Sequence, residues 1–249
     1  MQIIVDELLT DYQMSGKGKT VILIHGWGDS SKGFEHLRIT LSKHYHVVAL
    51  NLPGFGGTQM PPEPWDLTNY ASFVAHFLTK VSLTPYAMIG HSNGGGLLIR
   101  GIAQKFFTPA KLVLLASAGI RGESSGRNLM LKVAVKGGKL LTSPLPQSMK
   151  RRLREKTYTA VGSDMLVVEE MQDTFKKIVA DDVRHDAAVI TTPTLLIYGD
   201  QDHATPPRYG QLLHNAIPGS RLETLSGAGH FVHHDKEDQV EALVMEFLA

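Results

Sequence analysis

Five short stretches of the chain, residues 21–24, 47–50, 87–89, 112–116 and 195–198, are apolar without interruption. A strand with one wet face alternates apolar and polar side chains. A continuous run instead marks a strand buried on both faces, which requires a mostly parallel sheet covered by helices on either side. Helical patterns separate the runs. Leu67, Tyr70, Val74, Phe77, Leu78 and Val81 recur at helical spacing behind a candidate N-cap, Asp66. In the tail, residues 236–248 place Val240, Leu243, Val244 and Phe247 on one face. Strands alternating with helices predict the α/β class, and the first dozen residues read as an antiparallel hairpin leading into the sheet.

The alternation stops between about Gly119 and Ile190, where helical texture continues without a strand run. This predicts a core of residues 1–118 and 191–249 interrupted by a helical cap, 119–190. The insertion has its own charge layout. Ten basic residues against two acidic ones from Arg121 to Lys156 give +8, whereas Asp164 to Asp182 carries −4. Solvated helix faces that pair with each other account for this, with an anion-steering patch as the alternative. Four methionines of this stretch, Met130, Met149, Met165 and Met171, suit either helix packing or an adaptable apolar pocket.

Composition narrows the chemistry. With no cysteine among 249 residues, disulfides, a thiolate nucleophile, Cys-ligated zinc and iron–sulfur clusters are excluded. A formal net charge of +1 gives no global attraction to nucleic acid or anionic membrane. Residues 1–7 lack the basic and apolar regions of a signal peptide, and the apolar runs are too short to span a bilayer, so a cytoplasmic protein is expected.

Gly90-His91-Ser92-Asn93-Gly94 fits G-x-S-x-G, a sharp strand-to-helix turn that thrusts a serine into a strained, exposed position. The pentapeptide alone is weak, since Gly122-Glu123-Ser124-Ser125-Gly126 matches it too. Only Ser92 directly follows a strand run and leads into a helical stretch, so Ser124 is set aside. A nucleophilic serine needs a base, and the base needs an orienting carboxylate. Run 195–198 ends in Gly199-Asp200-Gln201-Asp202, and residues 222–225 are followed by Ser226-Gly227-Ala228-Gly229-His230. Serine, acid and histidine thus fall in the order this architecture uses, with Asp200 and Asp202 both available. Upstream, His25-Gly26-Trp27-Gly28 ends another run, where a backbone N–H would join that of Asn93 in an oxyanion hole.

Together these motifs resemble the α/β-hydrolase superfamily over nearly the whole chain. The resemblance implies the α/β-hydrolase fold, a mostly parallel sheet flanked by helices with an inserted helical cap. It implies Ser92 as nucleophile, His230 as general base and then acid, and Asp202 as its orienter. Asp202 is preferred to Asp200 because Gly199, Asp202 and Pro206 fit the family's G-x-x-D-x-x-x-P. Trp27 and Asn93 would supply the oxyanion-hole amides, with no cofactor and no metal. The turn from Asn51 to Thr58 resembles the family's D-x-P-G-x-G-x-S, with Asn and Thr at its ends. The implied activity is cleavage of a small-molecule carboxylic ester. The Trp27 loop and the Leu52-Pro53-Gly54-Phe55-Gly56 turn resemble those of pimeloyl methyl ester esterases, and a basic cap would suit an acidic substrate. Two alternatives keep the same residues: a carbon–carbon bond hydrolase of ring-cleavage products, and a slow-turnover small-molecule receptor.

Other patterns read blandly. Gly16-Lys17-Gly18-Lys19-Thr20 ends like a phosphate-binding loop but lacks its first glycine, and is expected to be a hairpin turn. His230, His233, His234 and Asp235 together could suggest a metal site, but with His230 as the base the others are expected to be polar residues at the start of the last helix, and His91 to be structural.

Overall fold

Successive side chains of a strand point to opposite faces, so a run that is apolar throughout feeds two cores at once. The computed structural model describes residues 1–121 and 169–249. Its strands are β1 (Gln2–Val5), β2 (Leu8–Ser15), β3 (Thr20–Ile24), β4 (His46–Leu50), β5 (Pro85–His91), β6 (Lys111–Leu115), β7 (Thr194–Gly199) and β8 (Arg221–Leu225). The helices are α1 (Glu35–Leu41), α2 (Leu67–Lys80), α3 (Asn93–Ala103), α4 (Gln172–Ala180), α5 (Arg184–Ala187), α6 (Pro207–Ala216), α7 (Val232–Asp235) and α8 (Glu237–Leu248). Sheet order is β1-β2-β4-β3-β5-β6-β7-β8. The pairs β1–β2 and β2–β4 are antiparallel, and every later pair is parallel.

Alternate residues of the five runs divide as expected. Ile22, Ile24, Val48, Leu50, Met88, Leu112, Leu114 and Leu196 pack on the face covered by α2, α3 and α6. Val21, Leu23, Val47, Ala49, Ile89, Val113, Leu115 and Ile197 pack on the face covered by α1 and α8. This is the α/β-hydrolase sheet that the motif order implied. Asp66 caps α2 with a reciprocal capping box, its side chain accepting from Asn69 N–H at 2.9 Å. The opening hairpin turns through Asp6 and Glu7, both at positive φ, the form whose twist matches its strands.

One expectation fails. Residues 16–20 do not close a hairpin, because β4 lies between β2 and β3 in the sheet. The segment is a crossover pressed against the end of α1. Gly16 has φ +76°, and a Cβ there would collide with the backbone carbonyls of Tyr45 and Ser42.

Of the expected cap, residues 122–168 lie outside the described residues. So do Ser124, Met130, Met149 and Met165, together with the basic cluster Arg151, Arg152 and Arg154. The remainder is tied closely to the core. Met171 is buried against Gly54, and Trp65 N–H donates to Thr174 Oγ1 at 3.1 Å. Arg100 of α3 reaches Asp186 at 2.7 Å and Asp181 at 3.3 Å, one residue on α5 and the other just before it.

Candidate functional site

Parallel strands place their following loops along one edge of the sheet, the edge where open α/β sheets bind ligands. Here the loops after β3, β5, β7 and β8 carry His25-Gly26-Trp27, Ser92, Asp202 and His230. Sequence positions up to 205 residues apart thereby converge.

Ser92 sits at the junction of β5 and α3 with φ 49° and ψ −117°, a conformation that L side chains avoid. Its own backbone is pinned: N–H donates to Leu115 O at 2.9 Å, and its carbonyl accepts from Ala118, Gly95 and Gly96. Glycines make the turn possible. A Cβ on Gly90 would strike the backbone of Gly94 and Gly95, and one on Gly94 would strike the carbonyls of Ile24 and His25. Ser92 Oγ lies 3.0 Å from His230 Nε2, and His230 Nδ1 lies 2.8 Å from Asp202 Oδ2. The three residues chosen from sequence are therefore brought into one hydrogen-bonded line.

Asp202 is nearly fully buried and heavily bonded. Its Oδ1 accepts from the N–H groups of Ala204 (2.8 Å) and Thr205 (2.9 Å), and its Oδ2 is 2.7 Å from Thr205 Oγ1. Burial alone would raise this carboxyl, but the His230 and Thr205 hydrogen bonds and the His230 charge outweigh it and hold the group below the usual carboxylate range. Asp200 points elsewhere. It accepts from Ser226 Oγ at 3.0 Å and Gly227 N–H at 2.7 Å, closing the loop after β8.

The oxyanion candidates come from two directions. Asn93 is the first residue of α3, where backbone N–H groups have no intrahelical acceptor. Gly26, which precedes Trp27, lies against the serine: a Cβ on it would sit 3.1 Å from Ser92 Cβ. The Trp27 ring packs edge-on against Phe55 (4.9 Å between centroids) and against Phe175 of α4 (5.1 Å).

Sequence reasoning missed two supporting residues. Thr205 lies 3.1 Å from His230 Nδ1 and within bonding distance of both Asp202 and Ala116 O, and its position between Asp202 and Pro206 was the available signal. His25 is wholly buried. Its Nδ1 donates to Gly26 O at 2.7 Å and its Nε2 accepts from Leu52 N–H at 2.9 Å, so it ties the Trp27 loop to the Asn51–Thr58 turn. Burial lowers its pKa, keeping it neutral. In that turn, the departures from the family pattern are fully bonded: Asn51 holds Ser31 N–H and Asp11, and Thr58 Oγ1 donates to Asn51 O.

His91 is buried behind the serine and donates from Nε2 to His230 O at 3.0 Å, fixing the backbone of His230. Burial and the neighbouring His233 and His230 hold its pKa well below the ordinary value. His233 is also buried, stacked on Phe34 at 5.0 Å, and burial with its histidine neighbours lowers it to about 3 against a small opposing effect of Gly33. His234 and Asp235 are exposed, and Asp235 accepts from Gly229 N–H. No helix among the described residues is long and apolar enough to cross a membrane.

Comparison with known proteins agrees with this architecture. The chain is 27% identical over 244 residues to a pimeloyl-[acyl-carrier protein] methyl ester esterase of Neisseria meningitidis, covering 92% of this chain and 93% of that protein. Among solved structures, an esterase from Exiguobacterium antarcticum superposes with a TM-score of 0.78 at 19% identity, over 100% of this chain and 98% of the other. A meta-cleavage product hydrolase from Pseudomonas fluorescens gives 0.73 at 21%, over 99% and 96%. At these identities the structural likenesses speak to the fold alone. The model of the alpha/beta hydrolase family matches residues 21–243, nearly the whole span from β3 to α8, and the chain belongs to that family.

Proposed function

We propose that this protein is a serine hydrolase that cleaves carboxylic esters of small or medium acyl chain through an acyl-enzyme. The observation that carries the reading is the unbroken line from Ser92 Oγ through His230 to the buried Asp202. In the proposed reaction Ser92 Oγ attacks the ester carbonyl as His230 Nε2 takes its proton. The amides of Trp27 and Asn93 stabilise the oxyanion. His230 returns the proton to the departing alkoxide, then deprotonates a water that attacks the acyl-serine, and hands that proton to Ser92 Oγ as the acid is released. Asp202 holds Nδ1–H in place and stabilises the imidazolium.

Likeness to a methyl ester esterase supports an ester as substrate. The test is a panel of p-nitrophenyl and methyl esters graded by acyl length, run on wild type and Ser92→Ala side by side. Turnover should drop by at least about 10³-fold in the variant. An unimpaired Ser92→Ala enzyme would sink the mechanism. Turnover of a vinylogous diketone in preference to every ester would favour the carbon–carbon hydrolase. Stoichiometric fluorophosphonate labelling of Ser92 with negligible turnover would favour a receptor.

A further inference from the structure

Behind the nucleophile lies a second cluster to which the ester mechanism assigns no role. One ligand atom from each of Asp29, His91 and His233 lies within 4.8 Å of the other two. Five buried side-chain polar atoms among the described residues lack a well-formed hydrogen bond, and four belong to this cluster: Asp29 Oδ2, His91 Nδ1 and both ring nitrogens of His233, one of which makes no better than a marginal contact with the Gly33 backbone. Orphaned buried polar atoms are rare and costly, so such a concentration calls for an occupant.

The geometry points to a buried site for a divalent transition-metal cation of the zinc class, held by Asp29, His91 and His233. The lone pairs are in the right places. His91 donates from Nε2 to His230 O, which leaves Nδ1 unprotonated and facing the cluster. A ligating histidine characteristically donates its other N–H to a backbone carbonyl in this way. Asp29 spends Oδ1 on Ser30 N–H at 2.7 Å and keeps Oδ2 for the site. The space is kept clear by missing side chains: a Cβ on Gly33 would collide with Asp29 Oδ2, and one on Gly26 would lie 2.9 Å from His91 Nδ1. Zinc bonds of ~2.0–2.1 Å in tetrahedral geometry separate ligand atoms by about 3.3 Å, so a set spread over as much as 4.8 Å closes by up to about 1.5 Å on binding. Two imidazoles and one carboxylate select a zinc-class ion over magnesium or calcium, and water would complete the coordination.

The three ligands come from the loop carrying Trp27, the residue before Ser92 and the turn after His230. A cation there would brace the oxyanion loop, the nucleophile and the base against one another, while taking no part in the acyl chemistry. Untagged protein stripped with a chelator would be titrated with Zn²⁺ by calorimetry and with Co²⁺ by visible absorption, beside Asp29→Asn and His233→Gln. One equivalent should bind and raise the melting temperature. Each variant should weaken binding by roughly 100-fold or more, beyond the usual effect of losing an outer-shell partner. X-ray absorption of the wild-type zinc form should show two imidazoles at ~2.0–2.1 Å, a readout that stands even where a variant fails to fold. Absence of saturable uptake would overturn the site and leave a buried water as its occupant. Uptake undiminished in both folded variants, or a shell without two imidazoles, would overturn it equally by placing the ion on exposed histidines such as His234.

Discussion

Replacing Ser92 by glycine should make the protein more stable than replacing it by alanine, although both remove the hydroxyl. At φ 49° and ψ −117°, Ser92 occupies the mirror image of the extended region, which costs a residue with a Cβ about 1–3 kcal/mol and glycine almost nothing. Ser92→Ala keeps that strain and Ser92→Gly releases it. Against the release stands the larger backbone entropy of glycine in the unfolded chain, about 0.5–1 kcal/mol. The two variants lose the same contact, the 3.0 Å bond to His230 Nε2, so that term cancels. A net advantage of about 1 kcal/mol remains for glycine, worth ~2–4 °C in melting temperature for a chain of this size. Differential scanning calorimetry at one pH, with urea titrations to separate ΔG from the m-value, measures it. A Ser92→Gly protein that melts below Ser92→Ala would show that the turn is not strained, and that the serine owes its exposure to something other than forced geometry.

Three further outcomes are expected. Asp202→Asn should cut ester turnover by about 10³–10⁴-fold by spoiling the His230 tautomer. Asp200→Asn, whose hydrogen bonds among the described residues go to Ser226 and Gly227, should cost about 1 kcal/mol of stability and little rate; equal rate losses would reverse the assignment. His25 is neutral in the fold with its pKa below the unfolded value of 6.5, so the unfolded chain binds the extra proton as pH falls through that value. Stability should therefore decline below about pH 6.5 by up to ~1.4 kcal/mol per pH unit from this group, and urea titrations of wild type and His25→Gln should diverge there, parallel curves counting against it. Arg100→Leu leaves Asp186 without its ion-pair partner and Asp181 with only Leu67 N–H, and should cost about 3 kcal/mol, whereas Lys176→Ala, an exposed pair with Asp173, should leave the midpoint of the same denaturation assay in place.

What the sequence disclosed depended on how local its signal was. Runs such as 112–116 announced buried strands because two-faced burial leaves no room for polar residues, and Asp66 announced a helix start because its cap is made within four residues. The site was legible because each of its members follows a strand, and the parallel order of those strands brings the loops together. The failure at residues 16–20 has the opposite cause. Turn chemistry reports that the chain bends, but only long-range pairing decides that β4 comes between β2 and β3. Asp29, His91 and His233 were invisible as a group for the same reason: a loop, the end of β5 and the short helix α7 contribute one atom each, with no repeating spacing to betray them.

Two positive-φ residues, Ser92 and Ala116, and four of the five unpartnered buried polar atoms among the described residues lie at one edge of the sheet, and that placement follows from the packing beneath them. Ser92 and Ala116, at φ 49° and 44°, follow adjacent strands β5 and β6. The strand residues they follow, His91 and Leu115, are buried, so neither strand can slide to relax the turn above it. The same rigidity keeps the unpartnered atoms of Asp29, His91 and His233 facing one another. In a looser fold the imidazoles would rotate toward water and the serine would drop into a common conformation. A well-packed parallel sheet removes both escapes, which is why the strained serine and the unpartnered ring nitrogens occur side by side.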